Sequence, residues 1–173
     1  MHIRRLTPQD ASVCHALRLA GLLEEPTAFG SSHEEEVAFA PDVVAQRLAE
    51  HADQGVFGAF ERTRLIGIVA LRRESMAKLR HKGLIFGMYV APDARGAGVG
   101  RALLSQALAL ARSVPGLLQV NLSVNASNAA AIALYESLGF ERFGREAGAL
   151  KIGEVLHDEL HMVWRTGESR QGA

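Results

Sequence analysis

A mixed α/β layer is the fold class this sequence predicts, and three observations carry it. Apolar runs of strand length alternate with amphipathic helical stretches in the order β-α-α-β-β-β-α-β-α-β-β. A glycine-rich turn, Arg95-Gly96-Ala97-Gly98-Val99-Gly100-Arg101, joins the apolar run Leu84–Val90 to a strongly helical segment. Val120, Leu122 and Val124 alternate with Gln119, Asn121 and Ser123, the pattern of a strand with one polar side. A chain of 173 residues, 48% hydrophobic and 22% charged, has the size and composition of one globular domain.

His2–Leu6 reads as a short strand, and Pro8-Gln9-Asp10 leads into a helix with Val13, Leu17, Ala20 and Leu23 at helical spacing. Glu25–Pro41, interrupted by Pro26, Gly30 and Pro41, reads as irregular and carries the acidic run Glu34-Glu35-Glu36. A second helix is expected over Asp42–Ala52. A hairpin of Val56–Phe60 and Leu65–Leu71 follows, turning at Glu61-Arg62-Thr63-Arg64. Leu84–Val90 enters the glycine turn, and the helix Val99–Ser113 leaves it with Val99, Leu103, Ala107, Leu110 and Ala111 in helical period until Pro115-Gly116. After the strand Gln119–Val124 comes a helix of about three turns, with Ala130, Leu134 and Leu138 on its core side. Asn125, Ser127 or Asn128 supplies its N-cap oxygen, and Gly139-Phe140 stops it. Phe140–Gly144, a turn region and a strand around Glu154–Trp164 complete a single domain over residues 1–165. Residues 166–173 are then a polar, frayed C-terminal tail.

Composition narrows the function. Nineteen basic and 19 acidic residues balance, so nothing points to nucleic acid or to an acidic membrane surface. No apolar run has the length of a signal peptide core or a membrane span. The single cysteine, Cys14, excludes an intramolecular disulfide and fits a reducing cytoplasm; it reads as a small buried hydrophobe rather than a nucleophile.

A strand, a glycine-rich turn and a helix N-terminus make an anion site. The first helical N–H groups have no intrahelical partner, the macrodipole adds partial positive charge, and glycines let a pyrophosphate approach the backbone. Arg95 and Arg101 flank the turn and can add charge-assisted contacts. The turn is not a dinucleotide fingerprint: its third glycine comes one residue early, and no acidic residue follows in Gln119–Asn125 to hold a ribose. Nor does the chain contain the Gly-Lys-Ser/Thr of a Walker loop.

The remaining pattern, Arg-x-x-Gly-x-Gly, resembles the acyl-CoA pyrophosphate loop of the GNAT N-acetyltransferase superfamily. Residues 125–140, Asn125-Ala126-Ser127-Asn128 through Ala131, Leu134 and Tyr135 to Gly139-Phe140, resemble the Asn-x-x-Asn…Ala-x-x-Leu-Tyr-x-x-x-Gly-Phe segment of the same superfamily. Asn128 and Tyr135, seven residues apart, share one helix face.

The resemblance implies a mixed, mostly antiparallel sheet of six to seven strands with helices on both faces. It implies that Leu84–Val90 and Gln119–Val124 splay apart and that acetyl-CoA lies in the gap. Backbone contacts would then come from Met88, Tyr89 and Val90, and pyrophosphate contacts from Arg95, Gly96, Ala97, Gly98, Val99, Gly100 and Arg101, with Asn128 also on the cofactor side. A backbone N–H in the same strand would face the thioester oxygen. The resemblance further implies that the acetyl group passes directly to a primary amine in a ternary complex, with Tyr135 as general acid toward the leaving thiolate and with no metal. Glu34 or His81 is the candidate base. Glu34 belongs to a segment that walls the acceptor cleft in the family, and His81 has a side-chain type that titrates near neutral pH. His157, Asp158 and Glu159 can reach the cleft from the last strands, although a polar strand end is their default reading, and a water chain without a dedicated base is an equal alternative.

The sequence therefore predicts a cytoplasmic, acetyl-CoA-dependent N-acetyltransferase acting on a small amine or a protein amino terminus, with a homodimer among the assemblies it allows. A non-catalytic acyl-CoA-sensing domain and a nucleotide-binding α/β protein are the alternatives.

Overall fold

The computed structural model describes residues 1–167. Its elements are β1 (His2–Arg5), α1 (Ala11–Glu24), α2 (His33–Val37), α3 (Pro41–Arg47), β2 (Gly55–Glu61), β3 (Arg64–Arg73), β4 (Lys82–Val90), α4 (Val99–Ser113), β5 (Gln119–Asn125), α5 (Ala129–Ser137), β6 (Glu141–Ile152) and β7 (Val155–Arg165). The strands form one seven-stranded sheet in the order β1-β2-β3-β4-β5-β7-β6. β4 and β5 pair in parallel, and every other neighbouring pair is antiparallel.

Helices cover both faces because β3 is apolar on both. Its Ile66, Val69 and Leu71 join a core with Leu103, Leu104, Ala107 and Leu108 of α4. Its Leu65 and Ile68 join a second core with Cys14 and Leu22 of α1. A strand buried on both sides reads as a continuous apolar run, as Leu65–Leu71 does. The sequence placed α4 at its observed limits, since Gly98 starts it and a regular apolar period runs through it.

Five expectations need correction. In α1 the expected stripe is only partly right: Leu17 packs against the core, but Val13 and Leu23 are 45% and 64% exposed and Ala20 is exposed, while Cys14, Gly21 and Leu22 are buried. The Tyr89 ring packs where a Gly21 side chain would stand, 3.0 Å from an added Cβ, so the buried position is a glycine that an apolar count omits.

Glu25–Pro41 is not irregular throughout. Ser32 and Glu35 form a capping box that starts α2, so the acidic run is the first turn of a helix. The Asp42–Ala52 helix ends at Arg47, because Arg5 reaches across to the carbonyls of His51 and Gln54 and holds them in a turn.

In α5, capped by Asn128 Oδ1 accepting from Ala131 N at 3.0 Å, Ile132 and Tyr135 are buried while Ala130 is exposed. Of the expected frayed tail, Thr166 is tied to the Leu118 carbonyl (N to O, 3.0 Å), and residues 168–173 lie outside the described residues.

Candidate functional site

Two strands that begin side by side and then part create the site. β4 and β5 pair only from Lys82 to Leu84 against Gln119 to Asn121. Beyond that point β5 stays with β7, matching Ser123 to His161 and Asn125 to Glu159, while β4 stays with β3. The β5-facing edge of Ile85–Val90 is left without a strand partner, a row of backbone donors and acceptors that faces an extended ligand, with the Val90 carbonyl also accepting from Arg95.

β4 is also bulged there. Ile68 faces Tyr89 but Ala70 faces Phe86, so Gly87 and Met88 together oppose Val69. Gly87 takes φ +61°, a conformation that disfavours any side chain, and the bulge re-aims the backbone N–H groups beside it.

A cavity of about 330 Å³ fills the divergence, walled by Leu84–Met88 of β4, Leu122–Asn125 of β5, the α5 N-cap Asn128, Tyr135 of α5, and Glu159 of β7. Tyr135 is 6% exposed, and burial pushes its hydroxyl up to about 12, so it remains a proton-bearing donor. The Tyr135 ring meets Phe140 edge-on at 5.8 Å, which fixes its direction. Asn125 turns its Oδ1 to the Ser127 N–H and hydroxyl at 2.9 and 2.6 Å, leaving Nδ2 buried without a partner among the described residues. An orphaned donor in a cavity wall fits a ligand carbonyl. Burial, reinforced by Glu146 and opposed by His161, raises the Glu159 carboxyl above the ordinary glutamate range.

At the far end of β4, Gly96 and Gly98 adopt φ +77° and +78°, and a Cβ on either would meet nothing within 4 Å. Gly98 is the N-cap of α4 and supplies no side-chain cap, so the leading amides face open space. Arg101 lies beside this loop, bonded to Ser137 Oγ at 2.7 Å. Arg95 instead turns back to α1, with Nε on the Val90 carbonyl at 3.0 Å and Nη1 on Glu25 at 3.1 Å. Tyr89 is buried, its hydroxyl on Glu24, and its pKa is pushed up to about 12 by burial and by that carboxylate. It offers the gap its backbone alone.

The two bases named from sequence stand elsewhere. Glu34 is exposed on α2 and outside the cavity wall. His81 sits where β4 and β5 are still joined, its carbonyl accepting from Leu118 and Gln119. The structure brings other groups to the cavity. Arg18 of α1 lines it and grips Glu36 through Nε at 2.6 Å, and Ser31 donates to the same carboxylate. Arg18 had a sequence signal: it lies four residues after Cys14 on the buried stripe of α1, an unexpected place for a cation. Ser123, also in the wall, bonds His161 Nδ1 at 2.9 Å, and His161 Nε2 meets Glu146 at 3.2 Å. Strand register created that array, which no local motif announces.

Comparison with known proteins finds acetyltransferases. The acetyltransferase (GNAT) family model matches residues 19–140. A mycothiol acetyltransferase from Salinispora tropica is 48% identical over 61 residues, 35% of this chain and 20% of that protein. The [ribosomal protein bS18]-alanine N-acetyltransferase of Escherichia coli is 50% identical over 56 residues, 32% of this chain and 37% of that protein. The matched stretch thus spans well under half the length of these curated relatives. The solved structure of yncA from Salmonella typhimurium, with its cofactor acetyl-CoA, superimposes with a TM-score of 0.82 at 20% identity, covering 100% of this chain and 98% of that one.

Proposed function

Because this chain belongs to the GNAT acetyltransferase family, we propose that it is an N-acetyltransferase that moves an acetyl group from acetyl-CoA to a primary amine, directly and within a ternary complex. The observation that carries the reading is the parting of β4 from β5 beyond Leu84, with a bulged, unpaired strand edge on one side and Tyr135 on the other.

Acetyl-CoA fits what the residues present. The α4 amides behind Gly96 and Gly98, with Arg101, hold the pyrophosphate. The open edge of Met88–Val90 and the orphaned Asn125 Nδ2 hold the amide-bearing arm as an added strand would. When bound, the thioester supplies an activated acetyl group.

The protein supplies position and proton handling. Backbone N–H groups at the Gly87 bulge lie ready to stabilise oxygen charge. Glu159 accepts the ammonium proton at its carboxylate, because a carboxyl with a raised pKa is a stronger base than an exposed one. Tyr135 donates a hydrogen bond from its hydroxyl to the departing sulfur. This reading assigns the base to Glu159 instead of Glu34 or His81, neither of which lines the cavity.

The reading is tested by thiol release from acetyl-CoA against amino acids, polyamines, aminoglycosides and short peptides, with the acetylated nitrogen identified by mass spectrometry. Release that requires an amine supports it. Tight acetyl-CoA binding with no release for any amine replaces it with the sensing-domain reading.

A further inference from the structure

A second cavity, of about 470 Å³, opens on the α1 side of the sheet and meets the first at Arg18, Phe86 and Gly87. It therefore reaches the bulge from the side opposite the parted strands. If acetyl transfer occurs at that bulge, this is the space from which the amine arrives.

Its charge is one-sided. Glu36 is the single carboxylate in its wall, 2% exposed and neutralised in place: Arg18 donates to one oxygen from Nε, and Arg18 Nη2 and Ser31 Oγ donate to the other. Two further arginines, Arg47 from α3 and Arg72 from β3, line the cavity. Both are exposed, and among the described residues neither makes an ion pair or a side-chain hydrogen bond, although Arg47 is close enough to Glu36 to help Arg18 and Ser31 hold its carboxyl pKa down against burial. Each is set against an aromatic face, Arg47 4.4 Å from the Phe39 ring centre and Arg72 5.6 Å from that of Phe86. Stacking restrains the plane of a guanidinium and leaves its N–H edges for a planar or tetrahedral oxyanion. Arg18 contributes a third donor at the inner end, since its Nη1 lies over Gly87. Glu36 is engaged by Arg18, and Glu34 and Glu35 lie outside the cavity wall.

We infer that the acceptor is a small amine that carries its own oxyanion, a carboxylate or phosphonate, which Arg47 and Arg72 bind while the amine reaches Gly87. The inference rests on the transferase reading above and names its substrate class. A polyamine or an aminoglycoside would place like charge against two unpaired guanidinium groups, which disfavours it. Val44, Leu48 and Ile68 add apolar wall to the same cavity, which suits an acceptor with an apolar body.

Matched acceptors test the inference, using the full chain with acetyl-CoA. Leucine, its phosphonate analogue, leucinamide and 3-methylbutylamine share one carbon skeleton and differ in the oxyanion. The expected result is a kcat/KM at least ~10-fold higher for an oxyanion-bearing member, the size of one charge-assisted contact. Comparison of carboxylate with phosphonate separates the two sources of that charge. Arg47→Gln and Arg72→Gln should each raise the acceptor KM by ~10-fold and leave the acetyl-CoA KM unchanged. Preference for the neutral or cationic acceptors, or arginine variants with unaltered acceptor KM, overturns the inference while leaving the transferase reading standing. Where no amine releases thiol, the transferase reading fails by itself, and calorimetry of leucine and its phosphonate against the CoA-saturated protein decides the cavity: binding that Arg72→Gln weakens upholds the oxyanion site, and no binding removes it.

Discussion

The Arg18 guanidinium stands where a side chain on Gly87 would go: a Cβ built at Gly87 lies 2.9 Å from Arg18 Nη1. Gly87 also has φ +61°, so the bulge in β4 and the ion pair behind it depend on the same missing side chain. Gly87→Ala should cost ~1–2 kcal/mol of stability, combining left-handed strain with displacement of Arg18 from Glu36. Turnover should fall much more than acetyl-CoA affinity, because the glycine loop that holds the pyrophosphate is untouched. Thermal unfolding, calorimetry and kcat on the same preparation check this. Unchanged kcat would remove the bulge from the site.

Gly98 separates charge from backbone strain. Asp and Asn have similar shape and both tolerate its positive φ better than other residues, and nothing lies within 4 Å of the added Cβ. Gly98→Asp should weaken acetyl-CoA binding by at least ~10-fold more than Gly98→Asn, since only the former sets a negative charge against the pyrophosphate and the helix dipole. Equal losses would mean that the loop is merely strained, and no loss in either would move the pyrophosphate elsewhere.

Tyr135→Phe removes a hydroxyl and keeps the ring against Phe140. With the Tyr135 pKa pushed up to about 12, complete proton transfer to a thiolate of ordinary pKa is uphill by about 5 kcal/mol. The hydroxyl therefore acts chiefly as a hydrogen-bond donor that strengthens as the sulfur gains charge. The variant should lose ~10²-fold in kcat, keep its acetyl-CoA affinity, and lose less with acyl donors whose thiol leaves more readily. Wild-type kcat at saturation would reduce Tyr135 to packing.

How far the sequence could be read follows from how local each feature is. The loop from Arg95 to Arg101, the helix Val99–Ser113 and the capped helix carrying Tyr135 are written in contiguous residues, and each lies where the sequence put it. The Ser32–Glu35 capping box was equally local, but the prolines and glycine around it suggested a loop. Arg18, Asn125 Nδ2 and the Ser123–His161–Glu146 array are different in kind. They acquire meaning through strand register and through packing of α1 on the sheet, which no short motif encodes. The buried face of α1 is hidden from an apolar count for a related reason, since the Tyr89 ring packs against Gly21, which has no side chain to count.

Glu159→Gln tests the proton acceptor, with a sign on two axes. The Glu159 pKa is raised, so its basic form disappears on acidification earlier than that of an ordinary glutamate, and wild-type kcat/KM for the amine should fall as pH drops through that raised value. The glutamine variant should lose ~10²-fold in kcat/KM at neutral pH and lose that acidic limb. Stability moves the other way. A carboxyl whose folded pKa is raised stabilises the fold below its unfolded value and loses that contribution as pH rises through the folded one. The variant should therefore match or exceed wild-type stability at neutral pH, with the difference closing in acid. A variant with a wild-type pH profile would return the proton to water.

The most direct measurement of the central claim is a two-substrate initial-velocity study, with the intact mass of the protein recorded after exposure to acetyl-CoA alone. Direct transfer requires both substrates on the protein at once, so double-reciprocal lines should intersect and the mass should stay unchanged without amine. Cys14 agrees with this, since burial pushes its thiol up to about 11 and leaves it a poor nucleophile. Parallel lines together with an acetylated protein, above all at Ser123 beside His161, would contradict the account and put a covalent acyl-enzyme in its place.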